Sequence, residues 1–294
     1  YAIIGAINQN TDANGSNSIS DAGAAYIFKN ISGTWTEVQK IVASDRAVDD
    51  KFGYSVSISG DYAIIGTVNE DDDANGNNPA NNAGSAYIFK NSSGTWTQVQ
   101  KIVASDRAAS DRFGSSVAIS GDYAIVGATH EDEDANGSNT LNNSGSAYIY
   151  KNNSGTWTQV QKTVASDRDD ADYFGNSVSI SQDLAIVGAY YNSKDENVSY
   201  YGNLAGAGAA FIYQNNGGTW TQVQKIVASD RAAGDEFGIS VSISGEHAIS
   251  GAYYEEEDAS GNNNMYHAGS AYIYYVEGLE GAAEISLFGN GVKS

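Results

Sequence analysis

Cysteine is absent from the chain, so neither a disulfide framework nor thiol chemistry enters the argument. A secreted protein with a large enough core needs neither, so this absence leaves the compartment open. Proline occurs once and methionine once. Basic residues are scarce: 15 Lys and Arg stand against 36 Asp and Glu, for a net charge of −21. Such a surface repels nucleic acid and anionic membranes, and both are excluded as partners. It suits divalent cations, a saline setting or plain solubility. No run of about 18 apolar residues occurs, so no membrane insertion is expected. Convincing 3.6-residue periodicity is also missing, which excludes helical bundles and coiled coils. Tyr1 opens in mid-pattern with neither Met nor signal segment, as expected of a piece of a larger multidomain protein.

What is abundant is Gly (33), Tyr (20) and an apolar fraction of 41% in 294 residues, a turn-rich β composition with enough apolar side chains for a packed core. The text also repeats. Aromatic-Ala-Ile-Ile/Val-Gly occurs at Tyr1, Tyr62 and Tyr123, with variants at Leu184 and His247, at offsets of 61, 61, 61 and 63 residues. Gly-Ser/Ala-Ala-Tyr/Phe-Ile-aromatic starts at Gly23, Gly84, Gly145, Gly208 and Gly269. Gly-Thr-Trp-Thr-Gln/Glu-Val-Gln-Lys starts at Gly33, Gly94, Gly155 and Gly218, and Phe-Gly at Phe52, Phe113, Phe174 and Phe237.

Each box reads as a strand. Ser55–Ser59 alternates polar and apolar residues with period two, and Tyr62–Ile65 is a continuous apolar run suited to burial on both faces. Trp96–Ile102 alternates again, and Lys101 there reads as an edge-strand guard. In blade order the strands are A (Phe-Gly), B (Ala-Ile-Ile), C (Ala-Tyr-Ile) and D (Trp). Four antiparallel strands per repeat of about 61 residues predict an all-β fold, a β-propeller of four-stranded blades. The preferred arrangement is a single domain over 1–294 with five blades, in units of about 1–51, 52–112, 113–173, 174–236 and 237–294. The segment 282–294 would close the ring or start a linker. The alternative is part of a larger, for example seven-bladed, ring.

Phe-Gly followed by Ser-Val-x-Ile-Ser-Gly-Asp and Ala-Ile-Val-Gly-Ala resembles the FG-GAP repeat, the blade of the integrin α-subunit propeller and of many bacterial surface proteins. The likeness runs from about Tyr1 to Tyr275. It implies a non-catalytic, extracellular or cell-surface adhesion module, and Val-Ala-Ser-Asp-Arg before Phe-Gly brings it nearest the bacterial form. Two departures matter. The family's Gly-Ala-Pro is never completed here. The A–B connection is only Ser-Gly-Asp or its equivalent, too short for the integrin calcium loop.

Acidic loops lie instead between strands B and C. Asp71, Asp73 and Asn75 before Gly76, and Asp132, Asp134 and Asn136 before Gly137, match the opening half of a calcium loop, D-x-D-x-N-G. Asn10, Asp12 and Asn14, and Glu256, Asp258 and Ser260, are weaker variants. Alternate residues would turn oxygens inward around a hard cation, and Gly would permit the bend. The twelfth position, which should carry a bidentate acid, is Asp21, Asn82, Asn143 or His267, so an affinity of about 10⁻⁴–10⁻³ M is expected. The competing reading is an acidic turn that stays solvated. The loop around Asp195 carries Lys194 and lacks the Gly, and is expected to bind calcium poorly or not at all.

Asp-Arg-x-x-x-Asp recurs in the D–A connection as Asp45/Arg46/Asp50, Asp106/Arg107/Asp111, Asp167/Arg168/Asp172 and Asp230/Arg231/Asp235. A guanidinium can fork two carboxylates and pin the crossing between blades; the alternative is a ring of ligand-facing arginines. Long loops and arginines should share one face. Tyr190, Tyr191, Tyr253 and Tyr254, with Tyr200, Tyr201 and Tyr266, would there stack on a glycan or meet a surface protein, or else pack over the next blade. Catalysis has little support. The three His residues occupy unrelated repeat positions and no nucleophile elbow occurs, although the many carboxylates leave a glycosidase dyad open. The functional reading is a calcium-supported binding module for a glycan or protein; the alternative is a structural spacer or filament subunit, and the least favoured a polysaccharide-acting enzyme.

Overall fold

In a computed structural model, residues 1–195, 204–257 and 265–276 are described. They contain 18 strands in five antiparallel sheets and no helix. Accordingly, no helix among them is long and apolar enough to cross a membrane. The first sheet holds β1 (Ala2–Ala6), β2 (Ala24–Ile31) and β3 (Thr34–Ile41). The second holds β4 (Ser55–Ser59), β5 (Tyr62–Thr67), β6 (Ser85–Ser92) and β7 (Thr95–Ile102). In the third are β8 (Phe113–Ser120), β9 (Tyr123–Ala128), β10 (Ser146–Asn153) and β11 (Thr156–Thr163). The fourth comprises β12 (Ser177–Ser181), β13 (Leu184–Ala189), β14 (Ala209–Asn216) and β15 (Thr219–Ile226). The last comprises β16 (Phe237–Ser244), β17 (His247–Ala252) and β18 (Ser270–Tyr275).

Strand order within every sheet follows the sequence, A-B-C-D in the three four-stranded sheets, B-C-D in the first and A-B-C in the last among the described residues, which is the up-and-down order of a propeller blade, as the boxes predict. The segment 282–294 lies outside the described residues. The chain divides into two compact units, 1–131 with 148–162 and 132–147 with 163–294.

Within the first unit, the joints between sheets explain the boxes. One face of β5 and β6, with Ile64 and Ile88, packs on Phe113, Val126, Tyr148 and Trp157 of the third sheet. Ile27 and Ile41 pack in the same way on Phe52, Ile65, Tyr87 and Trp96. Strand B is therefore apolar on both faces because it has a neighbour on each side. Gln39 clamps the next sheet's Trp96 by accepting its N–H at 2.8 Å and donating to its carbonyl at 2.7 Å; Gln100 does the same for Trp157. The second unit contains an equivalent joint, in which Ile186 and Ile212 meet Phe237 and Tyr272.

Two glycines make these joints possible. A Cβ on Gly66 would lie 2.1 Å from the Gly114 carbonyl oxygen, and one on Gly84 2.0 Å from that of Phe113. The backbones touch where the boxes place Gly, and a parallel bridge links Gly84 to Phe113.

Candidate functional site

The long B–C connections lie against the D–A connections, as expected from an up-and-down blade. Ser110, Arg112 and Phe113 donate backbone N–H groups to the carbonyls of Asn81, Asn82 and Ala83. The same ladder joins Asp49, Lys51 and Phe52 to Ser20, Asp21 and Ala22, and Ala171, Tyr173 and Phe174 to Asn142, Asn143 and Ser144. Two backbone segments that would otherwise be loose loops thus satisfy one another.

The recurrent arginine holds this arrangement, with partners other than those expected. It forks backbone carbonyls of the B–C loop, where the expectation was two carboxylates. Arg107 donates to Asn78 O at 2.8 Å and Asp71 O at 2.5 Å; Arg46 donates to Asn17 O at 3.2 Å and Asn10 O at 2.6 Å. Arg168 repeats the fork on Asn139 O and Asp132 O, and adds Ser144 Oγ at 2.7 Å. Arg231 reaches Lys194 O at 3.0 Å. Carbonyl partners leave no trace in a side-chain pattern, which is why the sequence points at the wrong acceptors.

The acidic loops are equally committed to themselves. Asp73 Oδ1 accepts the N–H groups of Asn75 (2.8 Å) and Asn77 (3.1 Å), while Oδ2 accepts the Asn78 amide at 2.7 Å. Asp12 and Asp134 make the same three bonds, to Asn14, Ser16 and Asn17 and to Asn136, Ser138 and Asn139. These bonds hold the carboxyl groups of Asp12, Asp73 and Asp134 below the usual carboxylate range. The first position caps the twelfth: Asn10, Asp71 and Asp132 accept the N–H of Asp21, Asn82 and Asn143 at 2.7–2.8 Å. Those three capped residues have φ of +53°, +54° and +52°. The calcium-like spacing is therefore that of an Asx turn closed by a side-chain cap, with a guanidinium on the remaining carbonyls. Each of these three loops spends its aspartate oxygens on its own N–H groups, and among the described residues no group of three or more acids or imidazoles stands in ligating range. Glu256 is described, its carbonyl accepting Met265 N–H at 2.7 Å; Asp258 and Ser260 lie outside the described residues.

A buried ionic cluster beneath the loops escaped the sequence argument. Lys101 is only 8% exposed and bridges Asp45 Oδ2 at 2.9 Å and Glu70 Oε1 at 3.2 Å. It is no edge guard. Tyr87 places its hydroxyl 2.9 Å from Asp45 Oδ1 and 2.8 Å from Glu70 Oε2. Lys162, Asp106, Glu131 and Tyr148 repeat the cluster at similar distances. Burial and the neighbouring Glu70 push the Asp50 carboxyl up to about 7, and burial pushes Asp172 to about 7 and Asp235 to about 6. The signal that could have found the cluster is the recurrence of Glu70, Glu131 and Glu255 one residue ahead of each acidic loop.

The candidate tyrosines form two aromatic groups in the second unit. Tyr190 stacks on Tyr173 with centroids 5.3 Å apart, and Tyr191 meets both edge-on. Tyr254 touches Tyr253 at 4.6 Å and His267 at 4.4 Å, and His267 stacks on Tyr266. Tyr253 and Tyr266 are 62% and 82% exposed. Beside them lies a recess of about 520 Å³ lined by Asp235, Glu236, Tyr254, Glu255, Glu256 and His267. Tyr200 and Tyr201 lie outside the described residues.

A family model described as FG-GAP repeat matches residues 35–89, 96–150, 157–213 and 220–274. Comparison with curated proteins finds no match.

Proposed function

We propose, from the premise that this chain belongs to the FG-GAP repeat family, that it is a non-catalytic binding module of an extracellular or cell-surface protein. Its ligand is a glycan or a surface protein, engaged on the loop face of the last repeat. The observation that carries this reading is the acidic, aromatic-edged recess flanked by exposed Tyr253 and Tyr266. Tyrosine faces stack on the apolar side of a sugar ring, and carboxylates accept its hydroxyl protons. Pinning the surrounding loops lowers the entropy that binding must pay for. The net charge of −21 disfavours nucleic acid and anionic lipid in the same place.

A spacer role without a ligand is the second reading, favoured by the first three acidic loops, whose aspartates are already satisfied internally. Glycan-array screening, joined to capture of surface proteins, separates the two. Binding that vanishes in Tyr253→Ala/Tyr266→Ala at unchanged melting temperature supports the module. Silence on every glycan and surface protein leaves the spacer. A calorimetric calcium titration run alongside tests whether any loop takes metal in solution.

A further inference from the structure

The hydrogen-bond count of the buried clusters does not close with every acid ionised. Tyr87 has one hydroxyl proton, yet its oxygen lies within 2.9 Å of carboxylate oxygens of both Asp45 and Glu70. Tyr148 stands likewise between Asp106 and Glu131, and Tyr272 between Asp230 (2.7 Å) and Glu255 (3.1 Å). The D–A connection of each of these repeats also carries a buried acid, Asp50, Asp111 or Asp235, and burial, followed by Glu70 and Glu255, raises the carboxyls of Asp50 and Asp235. Burial, and then the neighbouring Glu255 and Asp230 carboxylates, push the Asp235 carboxyl up to about 6.

The fourth repeat is the internal control. Position for position, Asn192 replaces the glutamate and Phe211 the tyrosine. The equivalence is fixed by the backbone: Gly208 donates to Asn192 O as Gly84 donates to Glu70 O. There the Asn192 amide donates to Asp172 Oδ2 at 3.0 Å, and no hydroxyl is asked to serve two acceptors. An amide N–H stands where the other repeats need a proton. In the first repeat only the glutamate is replaced: Gln9 stands there with Tyr26 kept, and its amide donates to the Tyr26 hydroxyl at 2.9 Å, so an N–H again supplies the missing proton.

We propose that the clusters of repeats two, three and five each hold one shared proton, along Asp50–Glu70–Tyr87–Asp45 and its equivalents, and that this proton locks the B–C loop to the D–A connection. Around Asp50 the facing charges are Glu70, Asp45 and Lys101. One ammonium against three carboxylates leaves two surplus negative charges, and the proton offsets one of them. Around Asp235 they are Glu255 and Asp230, with Glu236, Glu256 and His267 along the adjoining recess. Burial and like charge both favour the protonated form there, in the direction found for Asp50 and Asp235. Losing the proton on alkalisation sets two buried carboxylates against each other across the loop junction. The loop face is then tightest in mildly acidic surroundings and loosens as they turn alkaline.

The test is the pH dependence of unfolding between pH 5 and 8.5 for the full chain and for Asp50→Asn/Glu70→Gln, which puts amides in place of the two acids that share the proton. One shared proton makes the unfolding constant rise up to tenfold per pH unit across the window in which it is held. The double variant should lose one such tenfold dependence; titration of Asp172 is common to both proteins and cancels. An unchanged slope in a folded variant would overturn the proposal. Carboxyl ¹³C NMR on the unmodified protein decides the matter even if the variant fails to fold. Aspartate resonances of the clusters titrating above pH 6 support the shared proton, and uniform titration below pH 5 refutes it.

Discussion

Replacing Arg107 with Met keeps the length of the side chain and removes the fork on Asn78 O and Asp71 O. Each bond has a charged donor, worth about 1.5–3 kcal/mol when buried, but Arg107 is only partly buried and water reaches the vacated Asn78 carbonyl. Asp71 O keeps its bond from Ala80 N–H, so it is not orphaned. Solvent access therefore brings the net loss below the roughly 3 kcal/mol that two such buried bonds would give, to about 2 kcal/mol for the pair. Most of it should appear as local opening of residues 68–84, because the sheets on either side keep their own ladders and joints. A loss of about 2 kcal/mol raises local opening about thirtyfold. Hydrogen exchange read at residues 73–82 should show that acceleration, with little change at β5 and β6. Unchanged protection in the loop would refute the view that the guanidinium holds it. Millimolar calcium provides a second discriminator: it should not restore the lost protection. Restoration would show that the loop oxygens accept a divalent ion once the arginine is gone.

Gly66→Ala should destabilise by about 1–3 kcal/mol or abolish folding, because its Cβ meets the Gly114 carbonyl at 2.1 Å and neither backbone can retreat; a denaturant midpoint equal to the parent's would contradict this. Thermal stability should be higher at pH 5.5 than at pH 8.5. Asp50 and Asp172 keep in the fold, up to about pH 7, a proton that the unfolded chain releases near 3.8, so stability falls across that window by up to about 1.4 kcal/mol per pH unit for each and is flat above it. On the acid side, Asp12, Asp73 and Asp134 have depressed carboxyls, so their contribution is lost below the ordinary value of 3.8, and a melting curve against pH should turn down there. Tyr266→Ala removes an 82% exposed ring, so it should leave the melting temperature within a degree or two while weakening any ligand measured by titration.

The sequence by itself determined the blade. Period-two alternation in Ser55–Ser59, the doubly apolar run at Ala63–Ile65 and glycines at fixed places are local consequences of sheet geometry, and five repetitions made them unambiguous. It also placed the long loops and the recurrent arginine on one face, since that follows from strand order alone. Tertiary structure decided what the polar residues do. Arg107 binds carbonyls, which no side-chain pattern records. Asp73 turns inward on its own loop, where the N–H groups two and four residues on donate to it at 2.8 and 3.1 Å. Lys101 is buried because the Asp45 and Glu70 carboxylates, 56 and 31 positions away in the chain, converge on it. Strand pairing is written in neighbouring residues and can be read from them. A buried charge cluster is assembled across a joint between sheets, and only the packing of those sheets reveals which acids must share a proton.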